Sequence, residues 1–219
     1  MRGQRSTLWS SIILGVGIVL SASNALGSTM SVGIGAFGPG STLTTFTGLA
    51  NGTEVNGLTV NGILFNYSLG NGQVQIGIGP GTTNNMAPPN VVSVGTNTGV
   101  LSLTLPSFVD TVGYGYAELT QGAVTAATTI SLFSGATPVG ALSYNGVPDP
   151  LFTGGFAGIE STIPFNSVRV TFNSVTAPAF ALDNIRTATT VRVPEPSTML
   201  LLGTGITVLV FFRRTRKVV

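Results

Sequence analysis

Side-chain chemistry between Ser28 and Arg192 rests on carboxylates, because the usual catalytic partners are missing. The chain has no cysteine and no histidine, and its single lysine is Lys217 at the C-terminal end. That removes Ser-His-Asp and Cys-His centres, the common zinc sites, histidine-ligated iron or copper, and Schiff-base chemistry. Six acids remain in this stretch: Glu54, Asp110, Glu118, Asp149, Glu160 and Asp183. A carboxylate-dependent glycan hydrolase or lyase would need two of them facing each other across a cleft, with Glu118 and Glu160 as candidates. Six scattered acids always allow some pair to be drawn, so a non-catalytic role is the stronger expectation, with no cofactor and no bound metal.

Two polar groups could recognise a ligand. Asp183 and Asn184, within FALDNIR, would suit Ca²⁺ or a sugar hydroxyl at a strand end. The same pair also suits a turn cap bonded to nearby amides, and no dense acidic loop accompanies it, which favours the cap. Tyr114 and Tyr116 share one strand face and could stack on sugar rings. An alternating tyrosine pair more commonly packs in the core with its hydroxyls at the rim. Gly33, Gly35 and Gly38 match a dinucleotide fingerprint as a string, but Pro39 and Gly40 follow where a helix would have to start.

The elements that must hold these residues read as β-structure. Ile63, Phe65 and Tyr67 alternate with Leu64, Asn66 and Ser68, and the same period recurs at Val74–Ile78, Leu101–Leu105, Val112–Tyr116 and Val168–Phe172. Each run predicts a strand with one buried face. Asn-Gly pairs punctuate them, and Asn71-Gly72 is the leading hairpin signal, since both residue types accept positive φ. Gly79–Asn90 and Asn145–Gly155 predict loops, where a scaffold presents function. The expectation is an all-β fold, a two-sheet antiparallel sandwich.

Charge is distributed unevenly. Arg2 and Arg5 precede the apolar run Leu8–Leu20, and small residues fill Ser21–Gly27, with cleavage after Ala25 or after Gly27. This predicts a signal peptide over residues 1–27, entering the secretion machinery as an N-terminal helix. Residues 28–192 then keep three arginines, Arg169, Arg186 and Arg192, against the six acids, a formal charge of −3. A domain so poor in Lys and Arg has no surface for nucleic acid.

The remaining cations close the chain. Val193, Pro194, Glu195 and Pro196 form a proline-stiffened extended peptide, Met199–Phe212 is an apolar segment, and Arg213, Arg214, Arg216 and Lys217 follow. The basic end orients toward the cytoplasm, so residues 193–219 predict a motif, a short transmembrane helix at Met199–Phe212 and a basic tail that together hold the domain transiently at the inner membrane. The tail resembles a PEP-CTERM sorting signal. That resemblance implies recognition of the motif by an exosortase, cutting near it, and release to the cell surface or an exopolysaccharide matrix.

A second resemblance lies in the exported domain. Phe46–Phe65, Gly155–Ile163, Val168–Phe172 and Phe180–Arg186 look like strands of jelly-roll domains similar to carbohydrate-binding and lectin-like sandwiches. It implies a fold more than a ligand. A surface or matrix protein is therefore the first expectation, and a lectin-like module acting on exopolysaccharide the second.

Overall fold

The computed structural model describes residues 27–83, 85–94, 98–149 and 152–189. The expected signal helix, sorting motif, transmembrane helix and basic tail lie outside them. Among the described residues no helix is long and apolar enough to cross a membrane.

Eleven strands follow in chain order: β1 (Thr29–Ser31), β2 (Thr42–Thr44), β3 (Thr59–Val60), β4 (Ile63–Tyr67), β5 (Val74–Gly77), β6 (Asn90–Ser93), β7 (Leu101–Glu118), β8 (Val124–Ser134), β9 (Thr137–Asp149), β10 (Phe152–Phe172) and β11 (Phe180–Ala188). The named pairings are all antiparallel. Hydrogen bonds join the strands into one continuous sheet whose main path runs β5-β6-β11-β7-β10-β8-β9. The Gly33–Gly38 string holds only a 3₁₀ turn at Ile34–Ala36.

Continuity comes from the two long strands. The N-terminal part of β7 pairs with β4 and with the C-terminal part of β10, while its C-terminal part pairs with β11 and the beginning of β10. Between these halves the β7–β10 register shifts around Val109 and Phe165, near Pro106 and Pro164. Proline cannot donate to a ladder and is tolerated where pairing is interrupted. The shift also changes parity. Leu101, Leu103 and Leu105 are buried at odd positions, and Val112, Tyr114 and Tyr116 at even ones, yet all belong to one core with Phe46, Phe65, Ile130 and Phe165. An interrupted register lets one strand keep its apolar side inward through a bend.

Several local expectations change. Asn71-Gly72 joins no hairpin, because β4 turns to β3 and β7 while β5 pairs with β6. The Asn-Gly hairpin is at Asn61-Gly62, where Val60 pairs with Ile63 and φ is +50° and +79°. Both central residues of a type I′ turn must be left-handed. At 71–72 only Gly72 is, and its N–H donates to Glu54 Oε2 at 2.6 Å. Asn145–Asp149 and Phe152–Gly155 are strand residues of β9 and β10, paired from Asp149–Phe152 to Val147–Gly154. Pro148 is accommodated near the end of β9, opposite Thr153 and past the last β8 pair at Gly146, where a strand end tolerates a missing N–H. Val109–Glu118 is buried throughout, on both faces, where one face was expected. The β8–β9 hairpin, turning at Gly135 with φ +60°, was not foreseen. Its threonines and serines blur the apolar alternation of Ile130 and Leu132.

Phe65 is fully buried and meets Phe46 edge-on at 5.6 Å between ring centroids. Phe65→Ala should cost about 3–5 kcal/mol in urea denaturation. Ile78→Ala, at a side chain 70% exposed, should stay within about 0.5 kcal/mol.

Candidate functional site

The second face of β7 is covered by the Gly79–Pro89 loop. Gly115 makes this approach possible, since a Cβ there would overlap the carbonyl oxygen of Asn85. Gly113 similarly makes room for the rings of Phe37 and Phe156. Met86 is buried with Ala117 and Ala181 and packs against Val92 and Phe152. Small residues on the strands thus receive a loop that would otherwise stand off the sheet.

Three side chains fasten the loop. Asp183 Oδ2 accepts the Ala87 N–H at 3.0 Å, Asn184 Nδ2 donates to the Asn85 carbonyl at 2.7 Å, and Asn90 Nδ2 donates to the Gly79 carbonyl at 3.0 Å. Asn184 holds φ +52°, a conformation Asn tolerates better than most residues. Burial raises the Asp183 carboxyl above the ordinary aspartate range, opposed by the amides of Ala87 and Asn184.

Beside the fastened loop lies a cleft of about 360 Å³. Thr83 and Asn85 line it from the loop, Tyr116 and Ala117 from β7, and Pro148, Asp149 and Phe152 from the β9–β10 connection. An apolar hollow of about 280 Å³ adjoins it, sharing Ala117 and Phe152 and adding Pro80, Leu119 and Phe180. The two stretches expected as loops therefore meet at one site. A carboxylate, an amide, a hydroxyl and an aromatic edge around a concave apolar floor can hold a small polyhydroxylated molecule. Thr83, Asn85 and Phe152 were not singled out from sequence. Their only signal was membership of Gly/Pro-rich stretches, and nothing linear says that those stretches converge.

The tyrosines belong to the core. Tyr114 is fully buried with its hydroxyl 2.7 Å from Thr128 Oγ1, and Tyr116 donates to the Asn145 carbonyl at 2.9 Å. Burial pushes both hydroxyls far above the usual tyrosine range. Glu118 continues their face of β7, and its Oε1 accepts the Asn173 N–H at 2.9 Å. Burial pushes its carboxyl up to about 7, against that one amide bond.

The register separates the acids. Glu118 pairs with Phe180, and Asp183 with Gly115, so the two carboxylates point to opposite faces of the sheet. Glu160 pairs with Thr111, seven positions from Glu118 on β7 and also of opposite parity. Among the described residues no group of three or more His, Cys, Asp or Glu could hold a metal. Val193, Pro194, Glu195, Pro196, Arg213, Arg214, Arg216 and Lys217 lie outside the described residues.

Residues 192–217 match the PEP-CTERM protein-sorting motif, which implies export. No protein of curated function matches the chain in sequence. Solved structures of family 29 carbohydrate-binding modules are similar at low level. One mutant module has TM-score 0.39 at 10% identity over 64% of this chain and 91% of its own. A mutant complexed with cellulohexaose has 0.39 at 10% over 68% and 92%, and a further family 29 module 0.37 at 11% over 67% and 88%. Likenesses of this strength fix no ligand for this chain.

The Glu118 carboxyl carries a pH signature. Its folded pKa, about 7, lies above the unfolded value near 4.5, so the native state holds the extra proton between them. Its stabilising contribution is complete below about 4.5 and is lost as pH rises through about 7. Glu118→Gln should flatten that decline in Tm across pH 4.5–7.5, leaving neutral stability equal or higher.

Proposed function

We propose that this chain is an exported, non-catalytic surface or matrix protein, held briefly at the inner membrane by its C-terminal segment and cut by an exosortase-type enzyme near Val193–Pro196. The observation that carries this reading is the sorting motif over residues 192–217. It follows a β domain that keeps three basic residues and no cysteine. Residues 1–27 act as the signal peptide and residues 28–192 as the exported unit. Within the motif, Glu195 is the one charge a processing enzyme can read beside the two prolines. Arg213, Arg214, Arg216 and Lys217 set the orientation.

The exported domain is read as a two-layered, jelly-roll-like sandwich, formed where β7 and β10 bend and their halves enclose one core. Its surface positions are hydroxyls and amides more than ions, which suits a hydrated polysaccharide matrix. The carboxylate-hydrolase reading loses support because Glu118 faces away from both Asp183 and Glu160.

A second reading is favoured by the cleft. Asp149, Asn85 and Thr83 beside Phe152 make a plausible small-glycan site, in which the ring packs on the apolar floor and the polar groups take its hydroxyls. Tyr114 is committed to the core and takes no part, Tyr116 lines the cleft with its hydroxyl held by the Asn145 carbonyl, and Asp183 and Asn184 act by fastening the wall.

Intact mass of the protein recovered from the native host's surface tests the sorting reading. The expected species lacks the C-terminal segment, and Glu195→Ala should accumulate at the membrane at full length. A surface form that still carries Val219, with the variant localising identically, overturns it. For the second reading, Asp149→Ala and Phe152→Ala should each weaken retention on the host's own exopolysaccharide at least tenfold without changing Tm by more than a few degrees.

A further inference from the structure

Among the described residues, two buried oxygens on the loop-covered face have no donor. They are Asp183 Oδ1 and Asn90 Oδ1, on residues 1% and 0% exposed. Both lie where β6 meets β11. The β6–β11 register pairs Ala181 with Val92 and Leu182 with Val91, and Asp183 and Asn90 are the residues that follow and precede those pairs, on the same face of the sheet as Ala181 and Val92. Val92 and Ala181 share this face, with Met86 packed over it.

The other polar atom of each side chain is already occupied. Asp183 Oδ2 takes the Ala87 N–H, and Asn90 Nδ2 goes to the Gly79 carbonyl. Turning the amide over would leave its NH₂ group without that carbonyl, so the orientation is set by the loop. Two lone-pair-bearing oxygens therefore share a buried place beneath the loop. The Gly79–Pro89 loop above them contains no lysine or arginine. Buried acceptors grouped this way call for a positive centre.

We propose that a hard divalent cation, Ca²⁺, binds beneath the Gly79–Pro89 loop through Asp183 Oδ1 and Asn90 Oδ1. Loop carbonyl oxygens and water complete its shell. An all-oxygen set with irregular loop donors suits Ca²⁺, which accepts six to eight oxygens in flexible geometry, better than Mg²⁺ with its strict octahedron. A single carboxylate sets a weak affinity, about 10⁻⁴–10⁻³ M, in the range of extracellular modules. This matches an exported domain, and to that extent rests on the sorting reading. The cation ties β6 and β11 to the loop that carries Thr83 and Asn85, and so holds one wall of the cleft.

The test uses the full-length protein in mild detergent, stripped with a chelator and titrated with CaCl₂ or MgCl₂ by calorimetry, with Tm read in parallel. The expected result is one saturable Ca²⁺ site, a Tm raised by several degrees at 10 mM, and a much weaker Mg²⁺ response. Asp183→Asn should abolish the Ca²⁺ heat, and Asn90→Ala, which removes the second side-chain ligand, should weaken binding at least tenfold. If Asp183→Asn does not fold, Asn90→Ala decides alone. Absence of any Ca²⁺ response in the wild type overturns the proposal. Acid stabilisation that persists in Glu118→Gln but is lost in Asp183→Asn, with Asp183→Asn at least as stable at neutral pH, would assign the pair to a shared proton and overturn the proposal. Ca²⁺ binding unchanged in both variants overturns it too, since the ion would then lie elsewhere. Failure of the Glu195→Ala localisation test leaves each of these outcomes readable.

Discussion

The contact between the Gly79–Pro89 loop and the bare backbone of β7 at Gly115 is the constraint on which the site depends. Without a side chain at 115 the Asn85 carbonyl reaches the sheet, Met86 sinks between Ala117 and Ala181, and Asp183, Asn184 and Asn90 come within reach of loop backbone groups. Each bond satisfies a polar group that burial would otherwise leave costly, by about 1–3 kcal/mol. The cleft beside the loop is a consequence: its wall lies close on the sheet because the residues beneath it are small and those beside it bond its backbone.

The same strand also organises the core. β7 presents leucines at odd positions and tyrosines at even ones, and the interruption near Pro106 lets both sets enter one apolar cluster. Its partner β10 is interrupted near Pro164 in register with it. A strand buried on both faces needs small residues on one side and large ones on the other, and Val112–Ala117 alternates in that way. Tyr114 and Tyr116 fill the core side, while Gly113, Gly115 and Ala117 leave space for what lies across the sheet. Sugar-stacking and core-packing tyrosines look identical in a linear pattern. The difference lies in partners supplied from β8 and β9, Thr128 and Asn145.

Legibility tracked the range of the interaction. The apolar alternations at Ile63–Tyr67, Leu101–Leu105 and Val168–Phe172 were readable because burial of one face repeats every second residue. Asn-Gly chemistry identified turns but not which turn closes a hairpin, since Asn61-Gly62 and Asn71-Gly72 are the same dipeptide. Their fates diverge through strand pairing: β3 returns onto β4, whereas β5 is claimed by β6. Asn145–Asp149 and Phe152–Gly155 carried loop composition and became paired strand because Pro148 falls near a strand end, where its missing N–H is tolerated. The cleft was half legible. Both contributing stretches stood out as places to present function, and their meeting did not.

By itself the amino-acid order determined the class of the protein and its address. Missing His and Cys exclude whole chemistries, period-two patterns demand strands, and the motif near the C-terminus is a linear code that needs no fold to be read. Only the tertiary structure decided which acids are buried, which face each occupies, and which loop lies over which strand. Those properties arise from pairing between residues as far apart as Asn85 and Asn184. Long-range register is set by the joint packing of the whole sheet, and no local window contains it.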